Sequence, residues 1–233
     1  MTQPAQLSLA VQLPDDETFA SFYPGENAQL ITGLKNAAIG QGAPLLFFWG
    51  AQGTGRSHLL HATCAEVNAC GEAAAYIPLD QHAMFTPGVL DQMEQLPLVC
   101  LDNLESIAGN AQWEEALFDF FNRWKEHNQG SLIVTATTAP RKMGLCLADL
   151  ASRLDWGLAY QLRELDDEGK LSALQLRAEL RGFKLPVDVG RFLLNRLSRD
   201  MRTLLQTLNE LDTASLDAKR KLTIPFVKEA LKL

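Results

Sequence analysis

Gly50-Ala51-Gln52-Gly53-Thr54-Gly55-Arg56-Ser57 follows the apolar run Leu45-Leu46-Phe47-Phe48-Trp49 directly and opens a helical stretch near Ser57. A strand, a glycine-rich turn and a helix in that order have the form of a P-loop, with Arg56 at the position usually held by lysine. Glycines let backbone N–H groups turn inward onto a phosphate, and the helix N-terminus adds its dipole. The pattern therefore predicts nucleotide phosphate at Gly53, Thr54, Gly55, Arg56, Ser57 and His58, with the Ser57 hydroxyl offered to an accompanying Mg²⁺. Arg56 keeps the positive charge but presents a bulky planar fork in place of a compact ammonium, so binding is expected to survive better than hydrolysis. The plainer alternative for these eight residues is a glycine-rich strand-to-helix turn with no ligand.

Outward from this loop, short apolar runs recur at 45–49, 73–78, 98–101, 132–135 and 158–162, each bounded by polar or turn residues. Runs of that length, apolar on both faces and separated by helical segments, predict a parallel five-stranded sheet covered by helices on both sides. The run at 98–101 ends in Asp102, where a phosphate-loop protein needs an acid to hold the metal. The next residue is Asn103, which cannot accept a proton or polarise water as a carboxylate would, a second reason to expect weak turnover. An amphipathic helix precedes the loop, over 25–39. After Arg163 the pattern is helical only, over 166–181, 186–197, 200–211 and 224–233, with Asp166 and Asp200 as N-caps and Gly182 as a stop. The expected division is a tail over 1–15, an α/β domain over 16–162 and a small all-helical domain over 163–233.

Composition narrows the function. A chain of 233 residues with 47% hydrophobic content can bury a sizeable core. The formal net charge of −7 disfavours duplex DNA as the main partner, because neutralising phosphates needs clustered Lys and Arg. Protein and nucleotide partners fit better. Cys64, Cys70, Cys100 and Cys146 form no Cys-x-x-Cys pair and no zinc-type spacing with the histidines, so they are expected to be reduced core thiols. With neither a leader-like start nor a long apolar window, the chain is expected to be soluble and cytoplasmic, with no membrane partner.

The order of motifs resembles the AAA+ module of the bacterial replication initiator DnaA. The likeness is carried by the P-loop, the segment Leu98 to Asn103, Ile133-Val134-Thr135-Ala136-Thr137-Thr138-Ala139-Pro140, Leu150-Ala151-Ser152-Arg153-Leu154-Asp155-Trp156-Gly157 and Asp200-Met201-Arg202-Thr203-Leu204. The entry segment Thr18-Phe19-Ala20-Ser21-Phe22-Tyr23-Pro24-Gly25 belongs to the same pattern. The resemblance implies the AAA+ fold with a helical lid. The initiator carries a DNA-binding helix-turn-helix domain after this module, whereas the present sequence stops at Leu233, so the chain is expected to resemble the regulatory inactivators of the initiator. In the tail, Gln6-Leu7-Ser8-Leu9 resembles the peptide by which replication proteins dock on the β sliding clamp, although Ala10 stands where a larger apolar residue is common.

The resemblance also assigns roles. It makes Arg153 an arginine finger for a neighbour's γ-phosphate, Arg202 the lid arginine that senses the chain's own nucleotide, and Phe22, Tyr23 and Pro24 the segment beside the base. Read from the residues alone, Arg153 is by default a solvated helix-end cation that favours the dipole, while Arg202 lies in a first helical turn, where a cation suits a ligand better than the helix. At the first sensor position Thr135 and Thr137 replace the initiator's acid, and Trp156 is expected to be a packing residue. The function implied is an ADP-bound regulator that, on the clamp and touching DNA only through it, stimulates ATP hydrolysis by DnaA. The alternative is an autonomous AAA+ ATPase that loads or remodels a replication protein. Whether copies of the chain form a homo-oligomer is left open.

Overall fold

The computed structural model describes residues 16–232. The tail peptide Gln6, Leu7, Ser8 and Leu9 lies outside the described residues. Five parallel strands, β1 (Leu45–Trp49), β2 (Ala74–Pro78), β3 (Leu98–Asp102), β4 (Ser131–Ala136) and β5 (Leu158–Gln161), form one sheet in the order β2-β3-β4-β1-β5. The register sets Phe47 against Val134 and Cys100 against Ile133, so that β1, β3 and β4 are buried on both faces.

Alternation along these strands splits the core into two layers. Leu45, Phe47, Val99, Leu101, Leu132 and Val134 pack against α3 (Ala111–His127), which supplies Trp113, Leu117, Phe120, Phe121 and Trp124. Leu46, Phe48, Leu98, Cys100 and Ile133 face the other way, against α1 (Ala28–Ala38) and α2 (Arg56–Ala69). Apolar runs without alternation thus mean strands covered on both sides, as expected.

β5 departs from that expectation. It pairs only with β1, and three of its four residues are exposed, Leu158 among them at 50%. β5 stands at the margin of the sheet, where its residues are left open to solvent. Just before it, Trp156 is also more open than the packing residue expected, at 56% exposure. Its ring takes the Lys125 ammonium on one face at 3.8 Å and meets Phe121 edge-on. The cysteines divide as well: Cys64 and Cys100 are buried with their sulfurs 3.6 Å apart, whereas Cys70 and Cys146 are exposed and correct the expectation of four core thiols. Cys70 ends α2 and Cys146 lies in a loop, positions that apolar neighbours in sequence did not reveal.

α4 (Ala148–Leu154) leads into β5, and the helical domain follows as α5 (Asp167–Leu180), α6 (Val187–Arg196), α7 (Met201–Ala218) and α8 (Ile224–Leu231). Leu174, Leu193, Leu204, Leu208, Leu211 and Phe226 form its own core. Asp166 and Asp200 cap α5 and α7 by accepting the N–H groups of Gly169 and Thr203, and Gly182 follows α5 at φ +85°. α7 runs seven residues beyond the expected Leu211, its added turns lying over a mostly exposed surface. Among the described residues, no helix is long and apolar enough to cross a membrane.

Candidate functional site

The loop from β1 to α2 forms one wall of a cleft of about 770 Å³ where the sheet domain meets the helical domain. Phe22, Tyr23, Gly53, Thr54, Gly55, Arg56, Ser57, His58 and Arg202 all line it. Pro24 does not, and neither do Asp102, buried beneath, nor Arg153. Gly53 and Gly55 hold φ of +82° and +96°, a region that costs other residues strain. Both are also crowded: a Cβ on Gly53 would lie 2.6 Å from the Asp200 carboxylate, and one on Gly55 2.7 Å from the Phe22 ring. Gly55 is the N-cap of α2 and offers no side chain to it, so among the described residues the first-turn N–H groups of that helix have no side-chain partner beside the cleft.

The basic residue of the loop is already engaged. Arg56 is 7% exposed and its Nη1 lies 3.3 Å from Glu105 Oε1. Glu105 follows β3 in a short 3-10 turn, and its other oxygen is buried without a hydrogen-bond partner among the described residues. The guanidinium charge is therefore largely balanced within the chain.

Asp102, at the end of β3, is wholly buried and accepts three hydroxyl hydrogen bonds. Ser57 Oγ donates to Oδ2 at 2.5 Å, Tyr76 Oη donates to the same oxygen at 2.7 Å, and Thr135 Oγ1 donates to Oδ1. Thr135 also accepts the N–H of Asn103 at 3.2 Å. Burial, reinforced by the Asp102 charge, pushes the Tyr76 phenol far above its ordinary range, so it stays a proton donor. Ser57 and Asp102 are thus adjacent, as a Mg²⁺ site needs. The acid's Oδ2 is doubly occupied, however, which fits a bound metal poorly. Among the described residues, no cluster of His, Cys, Asp and Glu side chains is placed to hold a metal ion. Thr137, two residues beyond Thr135, lines the cleft.

The entry segment ties both domains together. Asp16 pairs with Arg177 at 3.0 Å and Arg181 at 3.3 Å on α5. Glu17 Oε2 accepts from His61 Nδ1 on α2 at 2.5 Å. His58 Nε2 lies 2.9 Å from the Thr18 carbonyl, which can only accept, so that nitrogen carries the hydrogen. Burial holds the His58 pKa below its usual value, partly offset by that bond. Asn27 clasps the backbone of Arg163, accepting its N–H at 2.8 Å and donating to its carbonyl at 3.0 Å.

Arg153 ends α4, its guanidinium carbon 3.9 Å above the Phe118 ring of α3. The start of α4 is held from α3: the buried Glu114 carboxylate accepts the N–H groups of Gly109, Cys146 and Leu147 at 2.7, 3.1 and 2.7 Å. Glu17, Tyr76, Glu105, Glu114 and Arg177 did not stand out in the sequence. Each is an ordinary residue whose partner lies on a distant segment.

Residues 13–161 match the model of the bacterial DnaA ATPase domain, and residues 167–231 match that of the Hda lid domain. Among solved structures, domain III of the Thermotoga maritima replication initiation protein DnaA superposes with a TM-score of 0.77 at 22% identity, over 94% of this chain and 97% of that one. AMPPCP-bound DnaA from Aquifex aeolicus gives 0.70 at 22% identity, over 85% of this chain and 65% of that one. The Thermotoga maritima RuvB Holliday junction branch migration motor gives 0.67 at 16% identity, over 94% and 72%. At these identities the structural likeness speaks for the shared AAA+ fold.

Proposed function

Because this chain belongs to the bacterial DnaA ATPase-domain family and carries a lid of the Hda type, we propose that it is a nucleotide-bound regulator of DNA replication initiation that makes the initiator DnaA hydrolyse its ATP. In this reading it works in the cytoplasm, is held by Gln6, Leu7, Ser8 and Leu9 on the DNA-loaded β sliding clamp, and touches DNA only through that clamp. Its own cleft holds ADP. The backbone donors of residues 53–58, the α2 N-terminus and Arg202 meet the two phosphates, and Phe22 and Tyr23 stand beside the base.

The observation that carries the proposal is the placement of Arg153. The residue lies outside the chain's own cleft, in the last turn of a helix whose start is held by Glu114, and against the Phe118 ring. A guanidinium presented there can serve a nucleotide held by another molecule, where a finger supplied in trans is worth ~10³ to 10⁵ in rate. The reading of the chain as an autonomous ATPase is disfavoured by Arg56, which is spent on Glu105, and by Asn103, which offers no base.

The test is Arg153→Ala. Its partly exposed guanidinium has one close ring, Phe118, and two others, Phe121 and Trp156, at about the 6 Å limit of the contact, so its loss costs about 0.5–1 kcal/mol and the variant should fold and bind ADP and the clamp as the parent does. It should nevertheless fail to lower the amount of ATP left on the initiator in the presence of clamp-loaded DNA. Arg153→Lys should fail too, since a point charge does not reproduce the planar fork. Parent-like stimulation by Arg153→Ala would refute the mechanism.

A further inference from the structure

Asp102 bears on how the cleft would hold a nucleotide. An ionised carboxylate has about four lone-pair positions, two on each oxygen. Here Oδ2 accepts from both Ser57 and Tyr76, and Oδ1 accepts from Thr135. The donors are neutral and come from three different elements: the start of α2, the middle of β2 and the end of β4. The hydroxyl of Ser57 is expected in any phosphate-loop site that uses Mg²⁺, where it touches both the ion and the strand-end acid. Tyr76 is the unusual member. The pairing of β2 with β3 sets Pro78 opposite Asp102 and Tyr76 opposite Cys100, so Tyr76 reaches the acid diagonally from the same face of the sheet. Its ring packs edge-on against His61 of α2, 4.4 Å between centroids.

Mg²⁺ demands near-ideal octahedral geometry and keeps several of its waters, so it needs room and free acceptor positions beside the acid. Tyr76 takes both. With Arg56 paired to Glu105, Arg177 to Asp16 and Arg163 to Glu26, the cleft-lining arginine outside these ion pairs among the described residues is Arg202, which stands together with the N–H groups of the loop. Those donors suit the two phosphates of a diphosphate without an ion to bridge a third.

Resting on the reading that the cleft binds a nucleotide, we infer that Tyr76 stands where a metal-bound water would otherwise meet Asp102, so that this chain binds a nucleoside diphosphate without needing Mg²⁺. The experiment is calorimetric titration of the full chain with ADP, once in Mg²⁺ and once in EDTA. The parent should show dissociation constants within about twofold of each other, and Tyr76→Phe, which keeps the ring but frees one position on Oδ2, should bind about tenfold tighter in Mg²⁺ than in EDTA. A parent that loses about tenfold or more in EDTA overturns the inference while leaving nucleotide binding intact. A metal-independent Tyr76→Phe overturns the role given to Tyr76. Absence of ADP binding in both buffers overturns the nucleotide reading, and the inference falls with it. The two parent titrations decide the metal question even if the variant does not fold.

Discussion

Glu114→Ala puts the bracing of the α4 helix end to a quantitative test. Glu114 stands in the first turn of α3, 1% exposed, and its carboxylate receives the N–H groups of Gly109, Cys146 and Leu147. Leu147 is the N-cap residue of α4 and makes no side-chain cap bond, and Glu114 fixes it from α3 by accepting its N–H and that of Cys146 before it. Hydrogen bonds to a charged acceptor contribute about 1.5–3 kcal/mol each, and three sharing one carboxylate are coupled and do not simply add. The exposed loop at Cys146 lets water recover part of the loss. The net cost should be about 3–5 kcal/mol, a large part of the ~5–15 kcal/mol that holds a domain together. For a chain of this size that corresponds to a fall in melting temperature of roughly 6–20 °C. Glu114→Gln keeps one oxygen but turns an NH₂ toward a donor, and should lose roughly half as much. Urea unfolding followed by circular dichroism at unchanged m gives both values. A loss below about 1 kcal/mol for Glu114→Ala would refute the reasoning, because three hydrogen bonds to one buried carboxylate should not be lost that cheaply.

Three further expectations follow from particular contacts. Gly55→Ala must adopt φ +96° and displace the Phe22 ring, costing about 1–3 kcal/mol and weakening ADP binding; an unchanged melting temperature would show that the loop relaxes freely. His58 is kept neutral in the fold by burial, so the unfolded chain binds more protons once the pH drops below about 6.5, and stability should decline from there until the lowered folded pKa is passed. His58→Gln removes that component, and a parent-to-variant difference that grows in favour of the parent on acidification would contradict the sign. For the thiols, Cys70 and Cys146 should react with a disulfide reagent in the native state, and Cys64 and Cys100 only after denaturation; four reactive thiols in the folded chain would refute the burial of the pair.

The architecture was legible because its signals are local. Five short apolar runs, a glycine-rich turn after the first of them and aspartates before helical stretches each report a backbone state within a few residues. Phosphate-loop conformation is likewise written in Gly53 and Gly55, whose positive φ hardly any other residue tolerates in comfort. Exposure was less legible. Leu158 and Trp156 look like core residues by composition, and only the strand order makes β5 an edge.

What the tertiary structure alone decided is the chemistry of the charged and hydroxyl groups, because a side chain's partner depends on register and on how the helices pack. The sequence by itself determined that a basic residue follows Gly55 and that an acid ends β3. It could not show that Arg56 is spent on Glu105, or that Tyr76, 26 residues before Asp102, donates to that acid. Nor could it show that Glu114, 33 residues before Leu147, holds the helix carrying Arg153. Periodicity follows from the backbone's repeating geometry and is therefore readable along the chain, whereas these contacts join segments that only folding brings within about 3 Å of each other.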